Sequence, residues 1–161
     1  FKYDPGVKEE IEYLSNAYYD YTSGFATSLV RSMSEQLFEQ YCEEREDIEW
    51  VYKNGDSGQQ YFSIVYFDGI SNQSLFYADY IVMKKDGTIW VIETKGGEAK
   101  GKDKNIDRQI KNKFIAFKEY ADAHSLHWGF VRDKDNRLYI NNTEFVSDMA
   151  DENWKPIDQI F

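Results

Sequence analysis

Apolar residues recur along this chain in two rhythms. Over 26–45 they follow three- and four-residue steps, with Val30, Met33, Leu37 and Tyr41 in one stripe and Phe38 and Cys42 widening it. That spacing predicts a helix. Its C-terminal end carries the acidic cluster Glu43-Glu44-Arg45-Glu46-Asp47, which opposes the helix dipole. A second helix is predicted over 104–123, where Ile106, Ile110, Phe114 and Phe117 share a stripe, with Ile115 and Ala121 near it. The runs 48–53, 61–67, 76–83, 88–95, 127–131 and 137–140 are short and rich in β-branched and aromatic residues, which predicts strands. Turn-forming residues fill 54–58 and 133–136, and a polar loop is expected over 68–74. Lys84-Lys85-Asp86-Gly87 joins two β-rich runs, a strong hairpin signal. A short helix is also expected within 6–20, ended by Ser23-Gly24. The order α-β-β-β-β-α-β-β predicts an α/β fold, a central mixed β-sheet flanked by helices.

Composition sharpens this picture. A chain of 161 residues fits one domain with a sizeable core, and 17% aromatic content argues against disorder. The segments divide into an N-terminal extension over 1–25, a main domain over 26–145 and a C-terminal appendage over 146–161. A first residue Phe1 rather than Met is expected of a piece of a longer polypeptide. No run has the length of a membrane span and no signal peptide opens the chain, so no membrane partner is expected. The lone Cys42 leaves no disulfide framework and no Cys-based zinc site, and a reducing, cytoplasmic setting is the natural inference.

Charge first argues against nucleic acid, since the net value is −10. Residues 95–118, however, hold eight Lys and Arg against three acids, a local +5. Such a segment can dock a polyanion or can be a solvated, mixed-charge helix face.

The candidate chemistry lies just before that segment. Folding the hairpin about Asp86-Gly87 brings Asp79 near Glu93 and Lys95, and strand alternation puts Glu93 and Lys95 on one face while Thr94 points away. Two carboxylates and an ammonium suit a hard divalent cation and an activated water. Taken singly, Asp79 reads as a strand-end acid and Glu93–Lys95 as a same-face ion pair. Glu93 ends a buried-looking run, where a carboxylate needs a partner. His124 and His127 lack metal-ligand spacing and read as structural, and Trp50, Trp90 and Trp128 as core.

Asp on one strand followed by Glu-x-Lys on the next, here Ala78-Asp79 and Glu93-Thr94-Lys95, resembles the signature of the PD-(D/E)xK nuclease superfamily. Further stretches resemble the C-terminal endonuclease domain of type III restriction enzyme Res subunits and related DEAD/DEAH-type helicase–nucleases. They are Ser34-Glu35-Gln36-Leu37-Phe38, Trp50-Val51-Tyr52-Lys53-Asn54-Gly55, Tyr61-Phe62-Ser63-Ile64-Val65-Tyr66, Phe76-Tyr77-Ala78-Asp79-Tyr80-Ile81-Val82 and Ile92-Glu93-Thr94-Lys95-Gly96. The resemblance spans roughly residues 30–145, and Ala78 stands where the family usually has Pro.

The resemblance implies a restriction-endonuclease-like core and a DNA endonuclease active on double-stranded DNA. Asp79 and Glu93 would ligate Mg²⁺, with Mn²⁺ as a substitute and the Thr94 carbonyl as an extra ligand. Lys95 would orient the attacking water or offset transition-state charge. Glu35 matches the superfamily's helical acid. Gln109 and Lys113, one helical turn apart, would contact phosphate or support the site. Lys100, Lys102, Lys104, Arg108 and Lys111 would add contacts to the DNA backbone. An upstream helicase/ATPase module of the same polypeptide and a methyltransferase (Mod) subunit are the implied partners. ATP belongs to that module, because this chain has no Walker A loop. Two other readings stay open: a non-catalytic nuclease fold used for DNA docking or subunit assembly, and a stand-alone nuclease acting on RNA or branched DNA.

Overall fold

The Asp86-Gly87 hairpin lies at the centre of a mixed sheet in the computed structural model, which describes residues 17–19, 32–54, 62–69, 72–96, 98–99, 102–103 and 109–161. Gly87 adopts φ +87°, which a side chain would resist, and so closes the turn between β5 (Tyr80–Lys84) and β6 (Ile89–Lys95). Outside β5 lie β2 (Ile48–Lys53) and then β1 (Ala17–Tyr19), β2 being antiparallel to β5 and parallel to β1. Beyond β6 lies β9 (His127–Lys134), parallel to it and reached through helix α2 (Ile110–Ala123). β10 (Arg137–Asn141) returns antiparallel through Asp135 and Asn136, both at positive φ as a two-residue hairpin turn requires. The two-residue β11 (Lys155–Pro156) completes the order β1-β2-β5-β6-β9-β10-β11. Two ribbons stand apart: β3 (Ile64–Phe67) with β4 (Gln73–Phe76), and β7 (Glu98–Ala99) with β8 (Lys102–Asp103).

Side-chain alternation divides the core between the two faces of this sheet. Helix α1 (Met33–Glu43) covers one face, packing Phe38 and Cys42 on Val51, Tyr80, Val82, Trp90, Ile92 and Val131. Helix α2 covers the other, packing Ile110, Phe114, Phe117 and Ala121 on Val91, Trp128 and Phe130. The α/β class and the helix-flanked mixed sheet therefore match the sequence pattern.

Five local expectations differ. The predicted strand over 76–83 is two strands in different sheets, because the chain bends at Tyr77–Asp79 and Phe76 pairs with Ile64 in the outer ribbon. That ribbon also begins at Gln73, inside the expected polar loop. Buried Asn54 fixes the bend: its Nδ2 donates to Ala78 O (2.9 Å) and Phe62 O (2.7 Å), and its backbone N–H donates to Asp79 O (2.8 Å). In α1 the buried stripe runs Ser34-Phe38-Cys42 with Glu39, while Met33 is half exposed and Leu37 and Tyr41 flank the core. Helix α2 starts at Ile110 after a turn at Gln109, and 104–108 lie outside the described residues. Finally, 17–19 form a strand rather than part of a helix; 1–16 lie outside the described residues. The C-terminal segment supplies Met149 and Trp154 to one core cluster and Ile157 and Phe161 to the other.

Candidate functional site

Strands β5 and β6 part at the end opposite their turn, and the Asp79 carboxylate fills the gap. Thr94 donates to Asp79 Oδ2 twice, from its backbone N–H (2.8 Å) and its hydroxyl (2.6 Å). The Thr94 side chain lies on the face opposite Glu93 and Lys95, as alternation predicts, and meets the acid from there. Asp79 thus takes the ladder position that a backbone carbonyl would hold if β5 continued. Its Oδ1 accepts from Lys53 Nζ at 3.2 Å.

Lys53 is the residue that sequence reasoning missed. It ends β2 on the α1 face, where its ammonium lies 2.7 Å from Glu35 Oε1 and 4.6 Å from the Tyr80 ring centroid. Glu35 stands in the first turn of α1 and closes a capping box: its Oε2 accepts from Ser32 N–H (2.7 Å), and the Ser32 hydroxyl accepts from Glu35 N–H (3.2 Å). Tyr80 donates to the fully buried Glu39 Oε1 at 2.8 Å. One chain of contacts therefore runs Glu39–Tyr80–Lys53–Glu35, with Asp79 also on Lys53. Burial alone would raise the Asp79 carboxyl, but Lys53 and the two Thr94 donors outweigh it and hold the group below its usual range. Burial likewise disfavours the Lys53 ammonium, and Asp79 and Glu35 together more than reverse that, so it stays charged. Its signals in the sequence were its place at the end of the 48–53 strand and within the 50–55 stretch of the resemblance.

Glu93 and Lys95 lie across the sheet from Lys53, on the α2 face with Val91 and Phe130. Lys95 Nζ is 2.7 Å from Glu93 Oε1. Glu93 is 4% exposed, and its buried Oε2 has no hydrogen-bond partner among the described residues. Burial, reinforced by Asp79, pushes its carboxyl up to about 8 against the opposing pull of Lys95 and Lys53. The expected convergence of two carboxylates and a lysine thus takes a divided form. Asp79 sits between the faces, its hydrogen bonds going to the α1 side and its charge felt by Glu93 on the other.

Two buried groups fix the backbone after the site. Ser34 Oγ lies 2.6 Å from Lys95 O and 2.5 Å from Asp133 Oδ1, and its single proton serves one acceptor at a time. Arg132, fully buried, donates to Gly96 O (3.0 Å) and Ser147 O (2.7 Å) with its guanidinium 5.1 Å from the Trp154 ring centroid.

The basic residues expected at a DNA surface are less united. Lys111 lines a groove with Phe114, Thr143 and Phe145, whereas Lys113 lies 5.7 Å from the Tyr66 ring centroid on the other flank of α2. Gln109 Oε1 accepts from Asn112 Nδ2 at 2.9 Å. Lys100, Lys104 and Arg108 lie outside the described residues, as does the side chain of Lys102 in β8. His124 and His127 stack on Tyr120 and Trp90 at 4.1 and 4.8 Å between ring centroids.

Among the described residues, no three acidic, imidazole or thiolate side chains gather as a metal cluster. A Mg²⁺ site needs fewer: one or two carboxylates suffice when waters and substrate phosphate complete the octahedron. Asp79 and Glu93 fit that count, and the orphaned Glu93 Oε2 is an oxygen that a cation would satisfy. Comparison with family models, with curated proteins and with solved structures finds no match. Among the described residues, no helix is long and apolar enough to cross a membrane.

Proposed function

We propose that this chain is a metal-dependent DNA endonuclease domain with a restriction-endonuclease-like core, hydrolysing phosphodiester bonds as part of a type III restriction or helicase–nuclease enzyme. The observation that carries the reading is the buried, unpartnered Oε2 of Glu93 beside Asp79, with the Lys95 ammonium on the other Glu93 oxygen. A carboxylate kept dry and half-satisfied loses stability unless a proton or a cation completes it. Asp79, Glu93 and the Thr94 carbonyl would hold Mg²⁺ or Mn²⁺. When bound, that ion acidifies a ligated water and offsets phosphate charge. Lys95 would then turn from Glu93 towards the phosphate and stabilise the charge that builds in the transition state. Asp79 is held ionised by Lys53 and Thr94, so it is ready to ligate at neutral pH. Double-stranded DNA is the proposed substrate, in a reducing cytoplasm where Cys42 stays a thiol. An upstream helicase/ATPase module and a methyltransferase subunit would bring the DNA to the site.

A second reading, a non-catalytic docking module, is favoured by one feature: both Asp79 oxygens already have hydrogen-bond partners. Plasmid nicking and Mn²⁺ binding by this chain separate the two. Asp79→Ala, Glu93→Ala and Lys95→Ala should each cut the Mg²⁺-dependent nicking rate by about 100-fold or more, the scale of losing one charge-stabilising group. The first two should also abolish Mn²⁺ binding. Three variants that nick at the wild-type rate would overturn the endonuclease assignment. A wild-type chain that neither nicks nor binds Mn²⁺ would favour the docking module.

A further inference from the structure

The ammonium of Lys53 stands where a cation shared by Glu35 and Asp79 would stand, 2.7 and 3.2 Å from their oxygens. Its surroundings keep it there. The Tyr80 ring lies 4.6 Å away, that ring is pinned through its hydroxyl to fully buried Glu39, and Lys53 itself is only 14% exposed. Glu35 in turn is fixed by the capping box of α1. Both acids and the Tyr80 ring hold this group, which commits it to them rather than to a substrate. We infer that Lys53 is a built-in counter-ion occupying the second cation position of the site, and that it excludes Glu35 from the metal shell. The site therefore takes one divalent cation, at Asp79 and Glu93, where three acids without the lysine would gather two. The inference builds on the metal-site reading above, but it is decided by a difference between variants rather than by activity.

The physical reason is charge. Glu35 and Asp79 are mostly shielded from water, and two such carboxylates require a positive partner. With Lys53 present that requirement is met, and a second divalent ion would be repelled at close range by the ammonium. With Lys53 removed, the same oxygens form a vacant, negatively charged pair. Lys53 acts through the acids and is a positioning residue, not a catalytic one.

Mn²⁺ titration followed by electron paramagnetic resonance, with circular dichroism to check folding, tests this on the whole chain. Lys53→Met should bind one more Mn²⁺ than the wild type, whatever number the wild type binds. The extra ion should vanish in Lys53→Met/Glu35→Gln and be absent in Lys53→Arg. If Lys53→Met binds no additional ion, the counter-ion role is wrong. If the wild type binds none while Lys53→Met gains one, the role stands and the Asp79/Glu93 metal site falls. Glu35→Gln alone keeps the inference falsifiable should the Lys53 variant misfold. That change should leave Mn²⁺ affinity within about threefold of the wild type, whereas a loss of tenfold or more would make Glu35 a ligand and overturn the inference.

Discussion

Burial and the neighbouring Asp79 push the Glu93 carboxyl up to about 8, so at neutral pH the folded chain holds a proton that the unfolded chain, with an ordinary value of 4.5, releases. Because the folded state binds the extra proton, Glu93 favours folding fully below about pH 4.5 and loses that contribution as pH rises through about 8. In chelator, urea unfolding should therefore show stability falling between these limits by a few kcal/mol. Glu93→Gln, which cannot titrate, should flatten that fall. Identical profiles for the two proteins would mean that Glu93 is not the buried acid described here. At this scale the sequence was legible for the Glu93–Lys95 pair, which strand alternation puts on one face, and for Asp79, which the hairpin brings to the same end of the sheet. Lys53 was not, because its role depends on a pairing between β2 and β5 and on the docking of α1, neither of which leaves a local mark. Thr94 lies on the face that alternation predicts, opposite Glu93, but its contact with Asp79 was not legible, because alternation does not fix the reach of an acid lying at the gap between two strands.

Helix α1 joins local stability to the site through one residue. Glu35 accepts from the Ser32 backbone with one oxygen and from Lys53 with the other, so the same side chain starts the helix and clamps the end of β2. Ser32→Ala should cost about 1 kcal/mol, the usual value of an N-cap hydroxyl. Glu35→Ala should cost more, about 2–4 kcal/mol, since it breaks the cap and a mostly buried ion pair together. Chemical denaturation measures both, and equal costs would show that the Glu35–Lys53 contact contributes nothing. Element types were readable where a single rhythm ran undisturbed, as in the two helices and the hairpins at Gly87 and Asn136. The 76–83 run misled because Phe76, the last residue of β4, and Tyr77 are β-favouring types that lead straight into β5. The only local warning of a break was Ala78-Asp79, two residue types that strands disfavour. The α1 stripe was shifted by Ser34, a polar residue buried for its contact with Lys95 O and therefore invisible to a hydrophobic pattern.

Across the whole molecule the sheet separates two packed layers, and the gap between β5 and β6 is where charges on one face are felt on the other. Phe38 belongs to the α1 layer and Phe117 to the α2 layer, with no shared core cluster. Their Phe→Leu variants should each cost about 1–2 kcal/mol. The double variant should equal the sum within about 0.5 kcal/mol, as expected for distant sites without common partners. Lys53 and Glu93 also lie on opposite faces, yet the Lys53 charge favours the ionised form of Glu93, and it also holds Asp79, whose charge in turn acts on Glu93. A double-mutant cycle of Lys53→Met and Glu93→Gln in chelator should therefore show coupling of about 1 kcal/mol at pH 9, where Glu93 is ionised. At pH 6, where Glu93 keeps its proton, the coupling should fall towards zero. Additivity at both pH values would mean that the two faces are electrically independent, and that Asp79 does not join them into one site.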